Sequence, residues 1–142
     1  MVKVQGAGAR GIRLLTPYEY KNTVRDIFSY TVSDDILPKA RFSGDFKYAS
    51  HAEKGVVMVD DAREYQSLAK TISESISLSV IGCNNNSCTN NQLSDLAKKV
   101  FRRSLSNEEL VRYTTILGSH GTRDAITALL MSPYFLYRIE LG

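Results

Sequence analysis

A chain of 142 residues fits one domain, which at this size buries about two-thirds of its unfolded surface. Its 43% hydrophobic and 23% charged residues are ordinary for a globule, and a net charge of +3 is too weak for a typical nucleic-acid binder. No apolar run approaches the roughly 20 residues that span a bilayer, and residues 1–10 lack the apolar core of a signal peptide.

Residues 1–15 read as an irregular arm, because Gly6, Gly8 and Gly11 are costly inside a helix. The glycine spacing is no phosphate loop: no strand-like run precedes it and no GK[ST] follows. The basic excess lies here, where Lys3, Arg10, Arg13, Lys21 and Arg25 face only Glu19. From residue 56 onward nine basic side chains balance nine acidic ones, so a solvated surface is the better reading. Thr16-Pro17-Tyr18-Glu19 is a helix start, with Thr16 as cap, Pro17 in the first turn and Glu19 completing a capping box. Tyr20, Val24, Ile27 and Phe28 follow at helical spacing, predicting a first helix from about Pro17 to Tyr30.

Residues 31–59 form a long irregular segment punctuated by Pro38, Gly44 and Gly55 and packed down by Phe42, Phe46 and Tyr48. Val56 to Val59 fits a short extended piece. Asp60 and Asp61 put negative charge at the start of a second helix, from about Ala62 to Leu78, with Tyr65, Leu68, Ala69, Ile72 and Ile76 as its apolar stripe. Gly82 to Gln92 is a polar loop with five asparagines and two cysteines. A third helix, Leu93 to Arg102, turns Leu93, Leu96, Ala97, Val100 and Phe101 inward. Ser106-Asn107-Glu108-Glu109 is a second capping box, opening a fourth helix that carries Leu110, Tyr113, Ile116 and Leu117 and ends at Gly118. Thr122 caps a fifth helix with Ala125, Ile126, Leu129 and Leu130 inward, and Ser132-Pro133 stops it and begins a sixth. The expected fold is all-α: a single compact bundle of five to six helices, with no internal repeat.

Chemistry-bearing residues are few. Cys83 and Cys88 are the only cysteines. The spacing excludes a CxxCH heme attachment, and zinc would need two more ligands when only His51 and His120 exist. A local disulfide in an oxidising compartment is the preferred reading, with two free thiols as its alternative. His51 and His120 lie in irregular or turn regions and read as solvated. The pairs Asp34-Asp35 and Asp60-Asp61 form no site, since neighbouring residues point apart on a helix. Arg102 and Arg103 read as helix-end charge, paired to Glu108 or Glu109, with a partner patch including Arg112 as the alternative. Tyr134, Tyr137 and Arg138 read as core and rim, with a partner or sugar surface as the alternative. No catalytic residue, metal site or cofactor is assigned to this chain.

Three blocks carry a resemblance. Leu14-Leu15-Thr16-Pro17-Tyr18-Glu19-Tyr20-Lys21-Asn22-Thr23-Val24-Arg25-Asp26-Ile27-Phe28 resembles an "RLT-x-x-EY-x-NTVRDL" opening. Phe101-Arg102-Arg103-Ser104-Leu105-Ser106, closed by Glu109, resembles "FRRPLT-x-x-E", departing at Ser104 where the family prefers proline. Ala128 to Gly142 resembles "AL-x-SP-x-FLYR-x-E-LG". In this order the blocks are similar to domains of unknown function in large bacterial proteins first noted in planctomycetes. Those proteins are often linked to c-type cytochrome domains and sometimes to carbohydrate-binding modules. The resemblance implies a periplasmic or secreted setting, which suits a Cys83–Cys88 disulfide, and heme c only in a neighbouring domain. It implies that residues 1–142 are one helical domain excised from a longer protein.

The expected function is a non-catalytic structural or docking module associated with cytochrome-c-linked redox or polysaccharide processing. Its partners would be other domains of the parent protein and possibly a polysaccharide, not nucleic acid. The alternatives are carbohydrate binding through Tyr48, Tyr134 or Tyr137, and an enzyme fragment using His51 or His120. Two coplanar exposed rings in a groove would favour the first of these.

Overall fold

The computed structural model describes residues 10–38, 59–84 and 87–141, with residues 10–12, 59–61 and 138–141 described by their backbone alone. The all-α expectation holds: among the described residues six α-helices enclose a hydrophobic core, and a two-stranded ribbon is added to them. In chain order these are β1 (Arg10–Leu14), α1 (Pro17–Phe28), a short 3-10 turn at Asp34–Ile36, α2 (Val59–Ser75), a second such turn at Leu78–Ile81, α3 (Asn90–Phe101), α4 (Asn107–His120), α5 (Thr122–Leu130), α6 (Pro133–Leu136) and β2 (Tyr137–Leu141). Phe42, Phe46, Tyr48, His51 and residues 56–58 of the extended piece expected at Val56 to Val59 lie outside the described residues, and Val59 itself opens α2 rather than extending a strand.

The apolar spacings place the core. Tyr20, Val24 and Phe28 of α1, Leu68, Ala69 and Ile72 of α2, Leu93, Leu96, Ala97 and Val100 of α3, and Ala125, Ile126, Leu129 and Leu130 of α5 are all buried in one cluster. Full burial of such side chains contributes roughly 1.5–3 kcal/mol each. Phe135 closes the cluster, meeting the Tyr20 ring edge-on at 5.4 Å. Tyr65 lies on another side of Tyr20, at 5.7 Å.

Polar contacts fix how α2 and α5 lie against each other. The Ser73 and Thr127 hydroxyls are 2.8 Å apart, and the Arg123 guanidinium donates to the carbonyls of Ser73 and Ile76. A cation on the last carbonyls of α2 satisfies acceptors that no further turn would use.

Several boundaries differ from the sequence reading. Helix α1 stops at Phe28, because Ser29 takes a left-handed conformation (φ 54°) and its N–H closes on the Arg25 carbonyl. Helix α2 begins and ends about a turn early, and Leu78 belongs to the 3-10 turn instead. Helix α3 begins at Asn90, since Thr89 and Gln92 form a capping box that the reading overlooked. Gly118 is an interior residue of α4 and not its cap; the chain breaks at Gly121, whose φ of 97° suits a glycine. Gly121 is also the N-cap of α5, so Thr122 does not cap it, and its hydroxyl accepts from the Cys88 N–H at 2.9 Å.

The largest differences are at the two ends of the bundle. The sixth helix is a single turn, capped by Ser132, and the end of the expected arm is a strand. β1 and β2 pair antiparallel with Arg10 opposite Leu141 and Leu14 opposite Tyr137. A further bond from the Leu15 N–H to the Leu136 carbonyl, 2.8 Å, ties the ribbon to the bundle. Paired extended segments satisfy backbone groups that a lone arm would leave to water.

Candidate functional site

Helix α3 ends because Arg102 takes a left-handed conformation (φ 60°), which swings Arg103 away from the helix axis and toward the start of α4. There the Ser106 hydroxyl accepts the Glu109 N–H, and the Glu109 carboxylate accepts the Ser106 N–H at 2.8 Å. Glu109 then receives Arg103 end-on: Nη1 donates to Oε1 at 2.8 Å and Nη2 to Oε2 at 2.7 Å. Nη1 also donates to the Ser104 carbonyl at 3.0 Å. The guanidinium lies over the Tyr134 ring, 4.3 Å from its centroid, and 5.6 Å from that of Phe101. Phe101 in turn packs on Tyr113 and Tyr134 at 5.8 and 5.6 Å. The arginine bonds and the capping N–H bond hold the Glu109 carboxyl at about 2, well below the ordinary carboxylate range.

The same arrangement stands at the start of α1. Arg13 donates to Glu19 through Nη1 at 2.5 Å and Nη2 at 3.0 Å, and Thr16 and Glu19 exchange capping bonds. The Arg13 bonds lead in pulling the Glu19 carboxyl down to about 2 against the opposing effect of burial. Both follow one pattern, R-x-L-[ST]-x-x-E, in Arg13-Leu14-Leu15-Thr16-Pro17-Tyr18-Glu19 and Arg103-Ser104-Leu105-Ser106-Asn107-Glu108-Glu109. The sequence reading has each capping box and pairs Arg102 and Arg103 with Glu108 or Glu109, which Arg103–Glu109 bears out; the Arg13–Glu19 pairing and the recurrence of the pattern are what it misses. The signal was the repeated spacing of arginine three residues before the cap.

Burial separates the two clamps. Arg13 has 7% of its side chain exposed and Glu19 30%, whereas Arg103 has 39% and Glu109 9%. Tyr134 beside Arg103 is 53% exposed. Of the expected surface residues the structure therefore brings Arg103 and Tyr134 together. Arg102 is exposed next to them, and Arg112 is exposed on α4. Tyr137 is not part of this surface: it is half-buried at the start of β2, packed against the core. Arg138 stands opposite Arg13 in the ribbon, and its side chain lies outside the described residues. The pairing of Arg103 is with Glu109, while Glu108 is exposed.

Cys83 and Cys88 form a disulfide with Cα atoms 4.7 Å apart, and both are buried. Cys83 donates its N–H to the Leu78 carbonyl at 3.0 Å, so the bridge joins the 3-10 turn to the start of α3. His120 is exposed at the end of α4. Among the described residues no group of three or more His, Cys, Asp or Glu side chains is placed to hold a metal ion. An open groove of about 300 Å³ runs between the turn at Ile36 and α2, lined by Arg63, Glu64, Ser67, Leu68 and Thr71. Among the described residues no helix is long and apolar enough to cross a membrane.

No curated protein and no solved structure gives a significant match to this chain. Two family models do match, one after the other. Residues 13–77 match "PSD3: Protein of unknown function (DUF1587)", and residues 88–140 match "PSD5: Protein of unknown function (DUF1595)". The first match begins at Arg13 and holds the buried-arginine clamp; the second begins at Cys88 and holds the exposed-arginine clamp. The chain is thus similar to two families of unknown function in tandem, each match containing one copy of the arginine–glutamate clamp.

Proposed function

We propose that this chain is a non-catalytic helical docking or scaffolding module of a secreted or periplasmic multidomain protein, associated with cytochrome-c-linked redox or polysaccharide processing. The observation that carries the reading is where the chemically capable side chains go. Arg13, Glu19, Glu109 and Arg123 hold helix ends, and Cys83 and Cys88 are joined to each other. What the described surface displays is an arginine laid on an exposed tyrosine, side-chain types enriched in protein interfaces. The disulfide suits an oxidising compartment.

The test is a calorimetric titration of the purified chain with a c-type cytochrome and with soluble neutral and acidic polysaccharides, each also assayed for turnover. Saturable binding to one of them without turnover supports the module. Turnover of any of them supports the enzyme reading, and binding to none removes the docking role. Intact mass under non-reducing conditions should show the two-hydrogen deficit of the disulfide; two reactive thiols would remove the argument for export.

A further inference from the structure

We infer that Arg103 and Tyr134 form the centre of a docking site for an acidic peptide segment of a protein partner, flanked by Lys98, Lys99 and Arg102. This deepens the docking reading above and rests on it.

A helix start needs its cap and its glutamate; it does not need an arginine at the surface. At α1 the equivalent arginine is buried. At α4 the same clamp leaves the guanidinium open to solvent. Its end-on pairing uses one N–H of each terminal nitrogen, and the Ser104 carbonyl takes the second N–H of Nη1. The Nε–H and the outer Nη2–H remain. In a planar guanidinium these two point the same way, as a second fork with the spacing of a carboxylate. Among the described residues this fork has no partner.

The fork is also pre-positioned. Glu109 holds one edge of the guanidinium and the Tyr134 ring supports its face, so little side-chain freedom is lost when a ligand arrives. The surroundings favour an anion. Lys98 and Lys99 are exposed in the last turn of α3, Arg102 is exposed at its cap, and Arg112 is exposed on α4; against them stand exposed Asp95 and Glu108 and the paired Glu109.

An acidic peptide fits better than an acidic glycan. A sugar platform wants a ring with its faces clear, usually beside a second ring. Tyr134 carries the guanidinium on its face and the tilted Phe101 ring beside it, Phe101 is buried, and Tyr137 is packed in the ribbon. A single partly covered ring next to an arginine fork suits a carboxylate followed by one apolar side chain.

The experiment uses the ¹⁵N-labelled full chain and a blocked hexapeptide of alternating glutamate and leucine. The control peptide has glutamine for glutamate, and oligogalacturonate is the glycan probe. The acidic peptide should shift the Arg103 Nε–Hε resonance saturably, and the glutamine peptide should not. Arg103→Lys keeps the charge and loses the fork, and should weaken binding about tenfold. Tyr134→Ser removes the ring under the guanidinium but changes neither partner of the Arg103–Glu109 hydrogen bonds, so a weakening there supports the site even if Arg103→Lys disturbs α4. Peptide shifts confined to Lys98 and Lys99 and unchanged in both variants would overturn the site as diffuse charge attraction. Oligogalacturonate shifting Arg103 where the peptide does not would overturn the peptide assignment. Silence at Arg103 with every probe also overturns it; if the chain still binds a cytochrome or polysaccharide, docking stands on another face.

Discussion

The clamps at Arg13–Glu19 and Arg103–Glu109 have one local geometry and opposite burial. In the first the cation lies inside and its carboxylate faces partly outward; in the second the carboxylate lies inside and the cation faces water. The seven-residue pattern dictates the cap and the pairing. What packs over it decides which partner is costly to lose: a buried charge without its partner is heavily penalised, while an exposed one is simply hydrated. Arg13 belongs to the paired ribbon and is buried, whereas Arg103 follows the end of α3, laid over the Tyr134 ring and left partly open to water.

The sharpest way to break this comparison is to neutralise each glutamate without changing its shape. Glu19→Gln keeps an oxygen for the Thr16 N–H but removes a charged partner from a buried arginine, and should cost about 3 kcal/mol. Glu109→Gln does the same to an exposed arginine and should cost about 1 kcal/mol. Urea unfolding of both variants measures the difference. Equal losses, or the reverse order, would show that burial does not distinguish the clamps.

Acid should dissolve both clamps in one window. Each carboxyl titrates at about 2 in the folded chain against an ordinary 4.5. Between those values the unfolded chain takes up protons that the folded chain refuses, so stability falls as pH falls. It is fully present above about pH 5 and lost toward pH 2. With the solvent exposure of Glu19 and Arg103 discounted, the two clamps together should account for about 3 kcal/mol of this loss. In the Glu19→Gln, Glu109→Gln double variant the slope of stability against pH over that range should flatten. An unchanged slope would place the acid-sensitive groups elsewhere.

Reduction of the Cys83–Cys88 bridge separates the two matched stretches experimentally. Replacing both cysteines by serine should cost about 2 kcal/mol, the worth of closing so short a loop. Hydrogen exchange should quicken at the Cys88 amide and the first turn of α3, while the Thr16 and Glu19 amides keep their protection. Uniform quickening across both clamps would mean that the bridge holds the whole fold and not one loop.

What could be read in the sequence was what adjacent residues decide. Thr16 with Glu19 and Ser106 with Glu109 announced their helices, and the stripes Leu93, Leu96, Ala97, Val100 and Leu68, Ala69, Ile72 announced the core. The ribbon was illegible because its strands come from opposite ends of the described chain; the pairing of Gly11 with Glu140 leaves no local trace. Gly118 misled because a glycine ends a helix only where the backbone turns left-handed, and that turn falls at Gly121. Thr122 looked like a cap because its role depends on Cys88, which only the folded loop brings near. The site was half-legible. Arg103 and Tyr134 were both picked out as surface candidates, but their stacking joins α6 to the end of α3.

The residue after each clamp's glutamate gives the smallest and finest contrast. Leu110 follows Glu109 and is half-buried; Tyr20 follows Glu19 and is fully buried between Tyr65 and Phe135. Its hydroxyl is buried with no hydrogen-bond partner among the described residues, and burial pushes the phenol well above its ordinary range. An unpartnered buried hydroxyl costs about 1–3 kcal/mol of desolvation, while the ring contributes its full apolar area. Tyr20→Phe keeps the ring and deletes the cost. It should leave stability unchanged or raise it by up to about 1 kcal/mol in urea unfolding, the reverse of the usual result for a core substitution. A loss of stability would mean that the hydroxyl has a bridging water, and that the first clamp sits on a polar core position.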